Sequence, residues 1–264
     1  MRKGIIIIIS QLLIVFSSCN KYPTVTHSQQ TSFLDLNKFR EGGDIIAISD
    51  FSAINYFIYK GEPDGFHYEI VKNEYITLKT GKVSPWDFLI KSFSDTINWD
   101  WRLLASLVYQ ESRFNPTVRS WAGAYGLMQI MPGTGENFGI DVTASPESNV
   151  KAGVLYIKYL QDFFNTRIPD ENERLKFVLA AYNAGAGNIV DAMQLAKKHG
   201  KSPVVWDDNV AYFLLKKMEP FYYNDPVVKN GYCRGDESVQ FVTEVLERYS
   251  EYKNIIHEDI YSPY

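Results

Sequence analysis

At 264 residues and 30.3 kDa the chain fits one large domain or two modest ones, and with 45% hydrophobic, 15% aromatic and 22% charged residues it is too apolar for disorder to be its main state. Twenty-seven basic against 31 acidic residues give a net charge of -4, and no Lys/Arg run exceeds two, which excludes nucleic acid as the main partner, because counterion-driven binding needs a basic patch. His27, His67, His199, His257, Cys19 and Cys233 match no zinc-ligand spacing, so neither a metal nor a cofactor is expected.

The chain opens on Met1-Arg2-Lys3 and an apolar run over 4–16 broken only by Ser10 and Gln11. That run is shorter than the ~20 residues a spanning helix needs and fits the hydrophobic region of a signal peptide. The following Phe16-Ser17-Ser18-Cys19 resembles the lipobox of bacterial lipoproteins, with Phe where Leu, Val or Ile is usual. The resemblance implies a signal over 1–18, lipidation of Cys19, and attachment to the membrane through that lipid. Loss of Arg2 and Lys3 would take the 27 basic residues to 25 against 31 acidic, and Cys233 would have no disulfide partner. A plain secretory signal and an uncleaved anchor are the alternatives.

Residues 19–43 are a tether, starting polar and aperiodic with Pro23. Ile45-Ile46-Ala47-Ile48 predicts a strand, and 55–60 and 66–70 predict a hairpin around Gly61-Glu62-Pro63-Asp64-Gly65. From Ser84 the pattern is helical. Ser84-Pro85-Trp86-Asp87 opens a helix to about Ser94, and Asp100 one to about Arg113. Ser145-Pro146-Glu147 opens a third, with Val150, Val154, Ile157 and Phe164 on one face, and Asp170 with Glu173 a fourth. Further helices are predicted over 188–198, 207–218 and 237–252.

In the helix after Asp100, Leu103, Leu107 and Glu111 fall four residues apart, so Glu111 continues an apolar stripe. A carboxyl there is partly desolvated and stays protonated toward neutrality, as a general acid requires. A helix-end glutamate paired with Arg113 or Arg119 is the plainer alternative.

Three motifs follow in order: Glu111-Ser112, then Gly126-Leu127-Met128-Gln129, then Ala181-Tyr182-Asn183. Together they resemble the soluble-type lytic transglycosylases, the SLT domain, over about residues 98–252. The resemblance implies a mainly α, lysozyme-like (α+β) catalytic domain over 81–264, acting on peptidoglycan glycan strands. It makes Glu111 the catalytic acid/base, with Ser120, Met128, Gln129, Tyr182 and Asn183 binding the sugars. Met128 and Tyr182 could instead be core residues, and Gly123 and Gly126 mere turn residues. Glu237 falls where relatives carry a looser late motif, and either reaches the groove or caps its helix.

The implied reaction cleaves the β-1,4 bond between N-acetylmuramic acid and N-acetylglucosamine and leaves 1,6-anhydromuramoyl ends. A hydrolytic muramidase of the same fold and a non-catalytic peptidoglycan-binding lipoprotein remain as alternatives. Residues 44–71 resemble the opening of the solute-binding-like module of membrane-bound lytic transglycosylase F proteins. With only about 27 residues left before the catalytic segment, 44–80 is expected to be a truncated, β-containing remnant with no ligand cleft. The implied location is the cell envelope, outer membrane facing the periplasm.

Overall fold

The computed structural model describes residues 57–59, 62–64 and 82–256. The strand expected at 45–48, Cys19 and the signal lie outside them. Strands β1 (Phe57–Tyr59) and β2 (Glu62–Asp64) pair antiparallel, Phe57 opposite Asp64 and Tyr59 opposite Glu62. Glu62-Pro63-Asp64, expected within the turn, therefore supplies the second strand, and the strand expected over 66–70 lies outside the described residues. Pro63 fits because a two-stranded ribbon leaves one side of each strand unpaired, where a missing N–H is tolerated.

The rest is helical, and side-chain caps open three of the helices. Helix α1 (Asp87–Ser94) is preceded by a tight turn: Trp86 N–H donates to Ser84 Oγ at 3.0 Å and Ser84 N–H to the Asp87 carboxylate at 2.8 Å. These bonds fix the chain that leads into the helix, whose N-cap residue, Trp86, makes no side-chain cap bond. Helix α2 (Trp101–Ser112) starts on Asp100, which accepts from Arg102 N–H at 2.9 Å. Helix α3 (Pro132–Glu136) is one short turn. Helices α4 (Pro146–Asn165) and α5 (Glu171–Ala184) are capped by Ser145 and Asp170, which accept from Ser148 and Glu173 N–H. Helix α6 (Ala186–Lys198) follows directly after Gly185.

The helix predicted over 207–218 is broken. Asp207 and Asp208 have non-helical backbone, and helix α7 runs only over Ala211–Lys216. Tertiary contacts override the local pattern: Lys176 on α5 binds Asp207 at 2.6 Å, the Glu173 carboxylate accepts from Trp206 N–H, and the buried Trp206 ring meets Phe177. Helix α8 (Pro220–Tyr223) is a single turn, and α9 (Gly235–Ile255) closes the described chain.

Helix α5 lies between α4 and α9, and α9 also packs along α2. Their shared core includes the wholly buried Leu104, Leu107, Leu127, Ile157, Phe164 and Phe177. Near the α6–α7 end sits a buried ion pair, Lys217 with Asp191, at 2.8 Å. The fold is mainly α with a minor β element, as the sequence predicts.

Candidate active site

Glu111 ends the apolar stripe of α2, one turn beyond the buried Leu107 and Val108. Arg113 and Phe114 then take positive φ values of 50° and 63°, so the chain leaves the helix at once. The Glu111 side chain keeps part of its surface open, but protein surrounds most of its carboxyl. Burial pushes the carboxyl up to about 8. It forms no ion pair among the described residues; Arg119 lies over the Tyr125 ring at 5.3 Å instead. At neutral pH such a group holds a proton it can give away.

The chain from 113 to 131 forms a loop pinned from three sides. Ser112, beside Glu111, donates its hydroxyl to Leu127 O at 2.8 Å. On α4, the buried Asn149 accepts from Met128 N–H at 2.9 Å and donates to Tyr125 O at 2.7 Å and Val142 O at 3.2 Å. On α5, Tyr182 donates its hydroxyl to Met128 O at 2.7 Å. The loop's backbone groups are thus fixed by side chains of three helices, which leaves little freedom beside Glu111. Gly126 is required twice over: its φ is +78°, and a Cβ there would lie 2.6 Å from the Asn149 amide nitrogen.

The expected site residues fall into separate places. Tyr182 is 9% exposed, with its phenol held well above the usual range by burial first and then by the nearness of Glu111 and Tyr156. Met128 is wholly buried and its side chain packs against Gly153 of α4, where a larger residue has no room. What Met128 presents toward Tyr182 is its backbone carbonyl; the thioether belongs to the core.

Gln129 is partly exposed with φ 46°, and its amide donates to Gly126 O at 2.9 Å and Val118 O at 3.1 Å. Ser120 Oγ accepts from Ala124 N–H at 2.9 Å and closes the loop tip, next to a Trp121 that is 95% exposed. Asn183 is exposed and accepts from Ser238 Oγ of α9 at 2.7 Å. Glu237 makes no cap bond; it pairs with Arg234 at 2.7 Å, and both are exposed.

The sequence reading missed Asn149, Ser238 and the latching role of Ser112. Asn149 carries no local signal, since its partners Tyr125 and Met128 are 24 and 21 residues away. Among the described residues no cluster of His, Cys, Asp and Glu could hold a metal ion.

Residues 88–205 match the family model described as Transglycosylase SLT domain. This part of the chain is similar to that family, and the glutamate-centred arrangement above falls within the match. The relatives are more particular: several are named Membrane-bound lytic murein transglycosylase F. The one from Desulfosudis oleivorans is 36% identical over 195 residues, covering 74% of this chain and 42% of its own length. That from Shewanella loihica is 39% identical over 158 residues, covering 57% of this chain and 31% of its own. The chain thus spans less than half the length of these relatives. Among solved structures, the 70 kDa soluble lytic transglycosylase of Escherichia coli is similar over 65% of this chain and 24% of that one, with 26% identity and a TM-score of 0.43.

Proposed function

We propose that the chain is a peptidoglycan lytic transglycosylase, with residues 81–264 as its lysozyme-like catalytic domain and Glu111 as the acid/base. The observation that carries this reading is a single carboxyl raised to about 8 beside a rigid loop. Glu111 protonates the glycosidic oxygen, which leaves as the 4-hydroxyl of N-acetylglucosamine while the muramoyl C1 takes on oxocarbenium character. The Glu111 carboxylate then accepts the proton of the muramoyl C6 hydroxyl as that oxygen bonds to C1. The nucleophile is in the same sugar and arrives positioned, so no second carboxylate has to activate water.

Tyr182 and Gln129 hold the loop backbone against Glu111, while Ser120, Asn183 and Glu237 present polar groups from the loop tip and from α5 and α9. Met128 contributes through its carbonyl. The chain is further read as a lipoprotein, cleaved before Cys19 and tethered by 19–43 to the outer membrane facing the periplasm. Labelled palmitate should be incorporated and be absent from a Cys19→Ala variant.

Mass spectrometry of muropeptides released by the purified protein tests the reaction. Anhydromuramoyl ends are expected, and reducing ends alone would make the protein a hydrolase. Full activity in a Glu111→Gln variant would remove the assigned acid, because the amide has no such proton to give.

A further inference from the structure

Directly after the Glu111-Ser112 pair the chain leaves α2 through two consecutive residues of the left-handed region. Arg113 has φ 50° and ψ 39°, and Phe114 has φ 63°. Glycine adopts such values freely, whereas a residue with a Cβ is strained there, a bulky one most of all. Among the described residues Phe114 is the one aromatic residue with positive φ. This pair sets the direction in which the loop departs from Glu111.

A strained conformation persists only where its surroundings over-determine it. Arg113 N–H donates to Tyr109 O at 2.8 Å and Asn115 N–H to Ser112 O at 3.0 Å, so local bonds close the turn. Phe114 is held at both ends. Its ring meets the Tyr109 ring edge-on with centroids 5.6 Å apart, and its carbonyl accepts from the Trp86 indole N–H at 3.1 Å, 28 residues earlier in the chain. The indole is placed in turn by the Ser84 and Asp87 bonds that lead into α1. A return of Phe114 to negative φ would swing the ring off Tyr109 and the carbonyl off the indole together. Ser112, Asn149 and Tyr182 hold the loop near its far end, around Leu127 and Met128; Trp86 holds it where it begins.

We propose that Trp86 is a positioning residue for the Glu111 site: its indole N–H locks the strained Phe114 and so keeps the loop in place beside the carboxyl. This rests on the reading that Glu111 is the acid/base. Trp86 acts through Phe114, so its loss disturbs the geometry of the reacting groups more than the binding of the strand.

The test uses the full chain with Trp86→Phe, which keeps an aromatic ring and removes the N–H, alone and combined with Phe114→Gly, which takes positive φ without strain. Folding is checked by near-UV circular dichroism, kcat and KM are measured on cell-wall glycan strands, and exchange of the Asn115 amide is followed by NMR. Trp86→Phe should lower kcat about tenfold with KM within about twofold, and should speed exchange at Asn115. In the Phe114→Gly background the same substitution should cost less than about twofold, because no strain is left for the indole to hold. Ile90→Val, which loosens the buried side of α1 without touching this bond, should leave kcat unchanged. Unchanged kcat in folded Trp86→Phe overturns the proposal, and so does a rise in KM alone, an equal loss in both backgrounds, or an equal loss from Ile90→Val. If the parent protein releases no anhydromuramoyl ends yet Trp86→Phe speeds exchange at Asn115 only where Phe114 is present, the latch stands and the proposed reaction falls.

Discussion

Two buried carboxylates in this domain meet opposite fates. Asp191 is 2% exposed, and burial alone would raise its pKa. Lys217 Nζ at 2.8 Å, Lys229 N–H at 2.9 Å, and the backbone and side-chain N–H groups of Asn230 outweigh that push and hold it below the usual carboxylate range. Glu111 feels the same push with no such donors, and rises to about 8. Burial has one sign in both places; the partners decide whether the charge is kept or the proton is kept. The first arrangement ties α6 to the α7 end and the 229–230 segment, and the second keeps a proton beside the 113–131 loop.

The comparison can be broken at either end. The largest effect is expected from Glu111→Gln, which should lower turnover about 10²–10⁴-fold in muropeptide release without unfolding the domain. Next is Lys217→Met, which takes the cation from the buried Asp191 and leaves it only the N–H groups of Lys229 and Asn230, and should cost about 3–5 kcal/mol in urea unfolding. Adding Asp191→Asn, which removes the charge and keeps an acceptor for those N–H groups, should recover much of that loss; no recovery would mean that the two charges are not coupled.

Asn149→Ala leaves Met128 N–H and the carbonyls of Tyr125 and Val142 without this partner. It should cost about 1–3 kcal/mol and reduce kcat more than it raises KM, because the loop beside Glu111 loosens. Ser145→Ala, a cap remote from the chemistry, should cost only about 1 kcal/mol and leave kcat alone.

The pH dependence sharpens the contrast. With a folded pKa near 8 against an ordinary 4.5, folded Glu111 binds a proton that the unfolded chain releases. Its contribution is therefore complete below about 4.5 and lost as pH rises toward 8. Glutamine does not titrate, so Tm of Glu111→Gln minus that of the parent should grow across this window. A constant difference would show that the carboxyl is not raised. Activity should also fall as pH passes about 8, where the donor form disappears.

Much of the helical plan was legible because caps are local. Asp100, Ser145 and Asp170 each accept from an N–H two or three residues on, as their spacing predicts. Glu111 was legible for the same reason, through a stripe with helical period. The failures involve distance. Trp206 to Val210 bends because α5 holds it, and Asn149 matters through residues more than twenty positions earlier. The hairpin is a different case: Glu62-Pro63-Asp64 has the composition of a turn yet pairs as a strand with Phe57–Tyr59, and composition alone did not reveal that pairing.

Helix α4 sets the angular register of the whole assembly. Asn149 and Gly153, which seat the loop, and Tyr156, which abuts Tyr182, follow at intervals of four and three along one helical face. Inserting one residue between 149 and 153 would turn everything beyond it by about 100° relative to Asn149. The socket for the Met128 thioether and the ring beside Tyr182 would then swing away from the loop together. Grafting the loop beside Glu111 onto another helical scaffold would therefore require α4 to move with it, together with Ser112 of α2 and Tyr182 of α5, which hold the same backbone.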